Sequence, residues 1–121
     1  LENIKHFNLE SKVKPIKGDA LQVLEKLNET YDLIFMDAAK GHYEEFFMKS
    51  CSLVKPGGII VSDNVLYKGM IASDDLVVRR KKTIVKRMRN YLDYICNNEK
   101  YDTSVLPIGD GVAITLIKEE K

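Results

Sequence analysis

The sequence predicts an α/β fold: a mostly parallel sheet flanked by helices and finished by an antiparallel carboxyl-terminal hairpin. Two continuous apolar runs of strand length, Tyr31 to Asp37 (YDLIFMD) and Ile59 to Ser62, end in polar residues, as strands covered on both faces do. Segments with apolar residues at helical spacing alternate with them. Finally, Thr103 to Leu106 and Val112 to Ile117 are joined by the five residues Pro107 to Gly111. Five are too few for a crossover helix, so this pair is antiparallel.

Taken in order, Leu1 to Leu9 reads as the end of a helix, and Val13 to Ile16 as a short strand before the turn Gly18-Asp19-Ala20. Leu21, Val23, Leu24 and Leu27 then recur at helical spacing. After the YDLIFMD strand, Tyr43, Phe46, Phe47, Ser50, Cys51 and Val54 mark the buried side of a helix over His42 to Val54. Lys55-Pro56-Gly57-Gly58 stops it, since proline cannot continue a helix and glycine permits a left-handed exit. A loop, Val65 to Asp75, leads to a long helix whose stripe holds Val77, Ile84, Met88, Tyr91, Leu92 and Ile95.

With 121 residues the chain is one domain or part of one. Hydrophobic residues at 45% and charged residues at 31% describe an ordinary globular protein, and no apolar run approaches the roughly 20 residues that span a bilayer. No membrane partner is expected. Lysine and arginine total 19 against 18 acids, so the net charge of +1 says nothing about nucleic acid unless charges cluster. They do: Arg79, Arg80, Lys81, Lys82, Lys86, Arg87 and Arg89 place seven bases within eleven residues. That cluster is either a solvated helix face or a surface for phosphates. Cys51 and Cys96 lie far apart in helical segments and read as reduced thiols of a cytoplasmic protein. The chain opens on Leu1 without an initiator methionine, and is expected to be a fragment.

Chemistry gathers where the strands end, as ligands do in sheets of this class. Asp37, Asp63 and Asn64 close two strands expected to be neighbours. Two carboxylates and an amide, without histidine or cysteine, suit a hard cation such as magnesium, manganese or calcium. Alternatively, the acids cap the following helices or are simply solvated. Lys40, three residues beyond Asp37, is a candidate general base if a nearby cation and burial act on it, or else an exposed helix-start lysine.

Four blocks, Asp37-Ala38-Ala39-Lys40, Lys55-Pro56-Gly57-Gly58, Ser62-Asp63-Asn64-Val65-Leu66 and Pro107 to Ala113, resemble in order and spacing those of the cation-dependent O-methyltransferases of the catechol and caffeoyl-CoA type. The DAAK and DNVLY wording is nearest to bacterial members that methylate 5-hydroxyuridine in tRNA. The resemblance implies a Rossmann-like class I methyltransferase sheet lacking its first strands, with residues 1 to 121 as the carboxyl-terminal part of a single S-adenosylmethionine-dependent domain. Asp37, Asp63 and Asn64 would hold the divalent cation, and Lys40 with Asp37 would be catalytic. Gly18, Asp19, Ala20, Asp37 and Ala38 would bind S-adenosylmethionine, while Tyr43 and Asp110 fall where the family tends to contact substrate.

The implied acceptor is a catechol-like small molecule or a hydroxylated tRNA uridine, and a homodimer is expected. A rival reading is an inactive module that needs its missing amino-terminal half or a partner chain. The absent strands would leave Tyr31 to Asp37 as an unpaired edge. That edge is expected to be covered by Val13 to Ile16 moving inward or by another chain.

Overall fold

The computed structural model describes residues 1–120. Four strands, β1 (Tyr31–Met36), β2 (Val54–Asp63), β3 (Tyr101–Leu106) and β4 (Val112–Ile117), form one sheet in the order β1-β2-β4-β3. The helices are α1 (Glu2–His6), α2 (Ala20–Lys26), α3 (Tyr43–Cys51) and α4 (Lys82–Asn97). The α/β class and the antiparallel hairpin stand as read. Among the described residues β1 and β2 are parallel, and β4 runs antiparallel to both β2 and β3.

The expected strand at Val13 to Ile16 does not form, and these residues are exposed. Pro15 lies within them and has no N–H to give to a ladder. β1 is therefore an edge strand, with Leu33 55% and Phe35 59% exposed. Of the two ways of covering this edge, an added strand from residues 13 to 16 does not form, and of these residues Ile16 alone borders a cavity shared with Phe35 and Met36.

Helix-stop chemistry at Lys55 to Gly58 also plays out differently. α3 ends at Cys51, and the Lys55-Pro56-Gly57-Gly58 run is an excursion inside β2: the register passes from Tyr31↔Val54 to Leu33↔Ile59. Gly58 makes it possible, because a Cβ there would stand 2.5 Å from Val54 Cγ1 and 2.9 Å from the Asp32 carbonyl. α4 begins later than its stripe suggested. Val85 replaces Ile84 among its fully buried residues, alongside Met88, Tyr91 and Ile95, and Val77 precedes the helix.

Alternation along the strands divides the sheet into two unlike faces. Ile60, Ser62, Ala113 and Thr115 are all fully buried on the face where α3 and α4 pack against the sheet and one another. Phe47, Tyr91 and Tyr101 form edge-to-face ring pairs there, 5.1 to 5.7 Å between centroids. The other face carries Leu33, Ile59 and Leu116 in one row and Phe35, Val61 and Ile114 in the next. No described helix covers these rows, whereas the sequence reading expected cover on both faces.

Tyr91 is buried with its hydroxyl 2.6 Å from Ser62 Oγ. Burial pushes its hydroxyl well above the ordinary tyrosine range, a rise partly offset by that hydrogen bond. Desolvation does the same to Tyr101, reinforced by its bonds to Tyr94 and Cys51. The unfolded chain releases these protons near pH 10 and the folded chain retains them, so the unfolded state binds fewer protons above that pH. Stability contributed by these two groups is complete below about pH 10 and falls above it, by up to about 1.4 kcal/mol per pH unit for each tyrosine. Urea titrations between about pH 8 and 11 will show the unfolding midpoint constant at first and then dropping, with Tyr91→Phe flattening the drop.

Candidate active site

Met36 pairs with Ser62 in the parallel ladder, so Asp37 and Asp63 leave adjacent strands side by side. Such strands lie about 4.8 Å apart. At Asn64 the backbone turns with φ 55°, and Asp63 Oδ1 accepts the Asn64 N–H at 2.7 Å. The hairpin between β3 and β4 clamps this corner: the Val65 and Leu66 N–H groups donate to the Gly111 and Asp110 carbonyls at 3.1 and 2.9 Å. Three of the residues singled out from the sequence thus meet at one edge of the sheet.

Lys40 joins them. Its Nζ lies 3.7 Å from Asp37 Oδ1 and donates to the Tyr43 hydroxyl at 3.1 Å. That hydroxyl in turn donates to the Asp63 backbone carbonyl at 2.6 Å. Lys40 is three residues before Tyr43, so the short turn Lys40–His42 and the first turn of α3 fix both. With 20% of its side chain exposed, Lys40 is not the solvent-facing lysine of the bland reading.

Tyr43, expected near substrate, is fully buried and ties Lys40 to the Asp63 backbone. The apolar spacing did place it on the buried stripe, but nothing in the spacing revealed its hydroxyl as the junction. Asp110, the other expected substrate contact, accepts the Lys68 N–H at 2.8 Å and so holds the loop after Asn64.

The second group of singled-out residues borders a cavity of about 280 Å³. Gly18 comes from the turn before α2 and Ala20 opens that helix; Met36 ends β1 and Asp37 and Ala38 follow it, with Phe46 reaching in from α3. Asp19 does not line it; its carboxylate accepts the Gln22 N–H at 3.1 Å and caps α2. The volume is near the lower end for small-ligand sites. Asp37 belongs to both groups, so the cavity and the carboxylate corner are continuous.

Among the described residues no three His, Cys, Asp or Glu side chains gather. A cation at this corner would rest on two carboxylates, the Asn64 amide and oxygens from solvent or acceptor. The oxygen-only donor set still fits magnesium or manganese, which habitually keep several waters. Cys51 and Cys96 are free thiols that do not line this cavity, and desolvation pushes each of them up.

A family model described as O-methyltransferase matches residues 1–119. Caffeoyl-CoA O-methyltransferase 2 of Populus trichocarpa is 34% identical over 125 aligned positions, covering 92% of this chain and 48% of that protein. A solved chain from Staphylococcus aureus superimposes with a TM-score of 0.86 at 34% identity, across 96% of this chain and 56% of its own length. The Bacillus cereus O-methyltransferase in complex with SAH, S-adenosylhomocysteine, gives 0.81 at 26% identity, across 97% and 56%. The chain spans about half the length of these relatives. Among the described residues no helix is long and apolar enough to cross a membrane.

Proposed function

This chain belongs to the O-methyltransferase family, and we propose that it carries the carboxyl-terminal, acceptor-activating part of an S-adenosylmethionine-dependent, divalent-cation-assisted O-methyltransferase. One observation carries the reading. Gly18, Ala20, Asp37 and Ala38 line a single cavity, and Asp37 leads from it to Lys40, which Tyr43 ties to the Asp63 backbone carbonyl.

S-Adenosylmethionine supplies a methyl group on a sulfonium, which departs as a thioether with the bonding electron pair. A divalent cation supplies positive charge that favours the oxyanion of the acceptor and fixes its direction. Asp37, Asp63 and the Asn64 carbonyl are the residues that would hold the ion. Lys40 Nζ, kept in place by Tyr43 and Asp37, adds a second positive charge beside the acceptor hydroxyl and favours passage of its proton to water. Small Ala38 leaves room next to the cavity for the reacting groups. The acceptor is a catechol-like small molecule or a hydroxylated uridine of tRNA.

Titration calorimetry of this chain with S-adenosylmethionine and manganese tests the reading. Heat of binding that disappears in Ala38→Phe, which fills the cavity, is the expected result. A second reading, a module inactive until its other half or a partner chain is present, is favoured by the uncovered rows headed by Leu33 and Phe35. No binding by this chain alone, and binding once the rest of the protein is supplied, is the outcome that reading predicts.

A further inference from the structure

We propose that the basic surface formed by the turn Arg79–Lys81 and the outer side of α4 is a docking site for the phosphate backbone of an RNA strand. The proposal deepens the methyltransferase reading by assigning its acceptor class, and rests on that reading for its purpose. Of the seven clustered bases, Arg89 is already committed. It donates to the Met70 and Ile71 carbonyls at 3.0 and 3.1 Å and to Asp74 Oδ1 at 2.8 Å, fastening the loop after Asn64 to α4.

The other six, Arg79, Arg80, Lys81, Lys82, Lys86 and Arg87, form no ion pair among the described residues. The first turn of α4 contains no acid, and Asp74, the carboxylate that borders the adjoining groove, is already paired with Arg89, so among the described residues no carboxylate pairs with these like charges. An external polyanion does. Lys82, Lys86, Val77 and Asn90 border a groove of about 550 Å³ along this side.

Length and position select a nucleic-acid strand. Residues 79 to 89 extend roughly 15 Å at 1.5 Å per residue, enough for about four phosphates at the 3.4 Å per charge of one strand of a duplex. An isolated phosphate would use a fraction of it. Arg87 Nη1 donates to the Gly41 carbonyl at 3.3 Å, so the basic side of α4 touches the turn that carries Lys40. Glu44 and Glu45 border the hollow beside Arg87 and repel phosphate, which directs the path over Arg79 to Lys86. An anionic membrane is the poorer partner, because the apolar stripe of α4, Val85, Met88, Tyr91 and Ile95, is buried in the core and unavailable for insertion.

The test measures binding of a fluorescein-labelled tRNA to this chain at several salt concentrations, beside the charge-neutralised Arg79→Gln/Arg80→Gln/Lys82→Gln variant and the charge-preserving Arg79→Lys/Arg80→Lys/Lys82→Arg variant. Three phosphate contacts account for a slope of about −2 in log K against log salt. The neutralised variant is expected to lose about that slope and at least about tenfold in affinity near 0.1 M salt, with the charge-preserving variant close to the original. Equal binding by the neutralised variant, no binding by the parent chain, or tighter binding to phosphatidylserine vesicles than to tRNA would each overturn the proposal. Calorimetry with S-adenosylmethionine on the neutralised variant keeps the two readings separate: lost RNA binding with cofactor binding intact is expected, and loss of cofactor binding in the parent chain counts against the methyltransferase reading alone.

Discussion

Gly111→Ala will destabilise the chain by about 3 kcal/mol, because two costs add at this position. The residue has φ 86°, a conformation costing an L-residue about 1 to 2 kcal/mol. A Cβ there would also overlap Leu66 Cγ and stand 2.8 Å from Leu66 Cβ, an overpacking worth about 1 to 3 kcal/mol. Gly109 is the internal control. Its φ is 57° and a Cβ would meet nothing within 4 Å, so Gly109→Ala carries the conformational cost alone. Denaturant titration should place Gly111→Ala at a clearly lower midpoint than Gly109→Ala; equal midpoints would mean that Leu66 gives way freely. The effect bears on function as well as stability, since Leu66 belongs to the corner that carries Asp63 and Asn64.

Asp63→Ala is expected to reduce manganese affinity by at least about 100-fold, while leaving the unfolding midpoint nearly unchanged. Loss of a partner that merely orients a metal ligand costs about 10- to 100-fold, and loss of a ligand should cost no less. Folding is spared because, among the described residues, the carboxylate's one hydrogen bond is to the next residue's N–H. The Tyr43 hydroxyl bonds instead to the Asp63 backbone carbonyl, which alanine retains. Manganese titration followed by electron paramagnetic resonance reads the affinity. An unaltered affinity would remove Asp63 from the site.

Local chemistry made much of this legible in the sequence. An apolar run closed by an acid marks a buried strand and its exit, so β1, the Ile59 to Ser62 part of β2 and the positions of Asp37 and Asp63 followed from pattern alone. The five-residue link at Pro107 to Gly111 fixed the antiparallel hairpin. What escaped depends on partners distant in sequence. Val13 to Ile16 reads as a strand locally, yet it joins no ladder, and Pro15 lacks the donor for one. Lys55 to Gly58 carries the signature of a helix stop, but its glycines serve an excursion within β2 against the Asp32 backbone. The Tyr43 hydroxyl was invisible for the same reason: it bridges Lys40, three residues away, to a carbonyl twenty residues on.

Family membership and the shared edge of Asp37 and Asp63 leave one claim central, that these two acids and Asn64 close around a single ion beside Lys40. Crystals soaked in manganese test it through anomalous scattering. A single peak at about 2.0 to 2.6 Å from oxygens of Asp37, Asp63 and Asn64 is the predicted result. A peak bound by other residues, or no peak at saturating manganese, would contradict it.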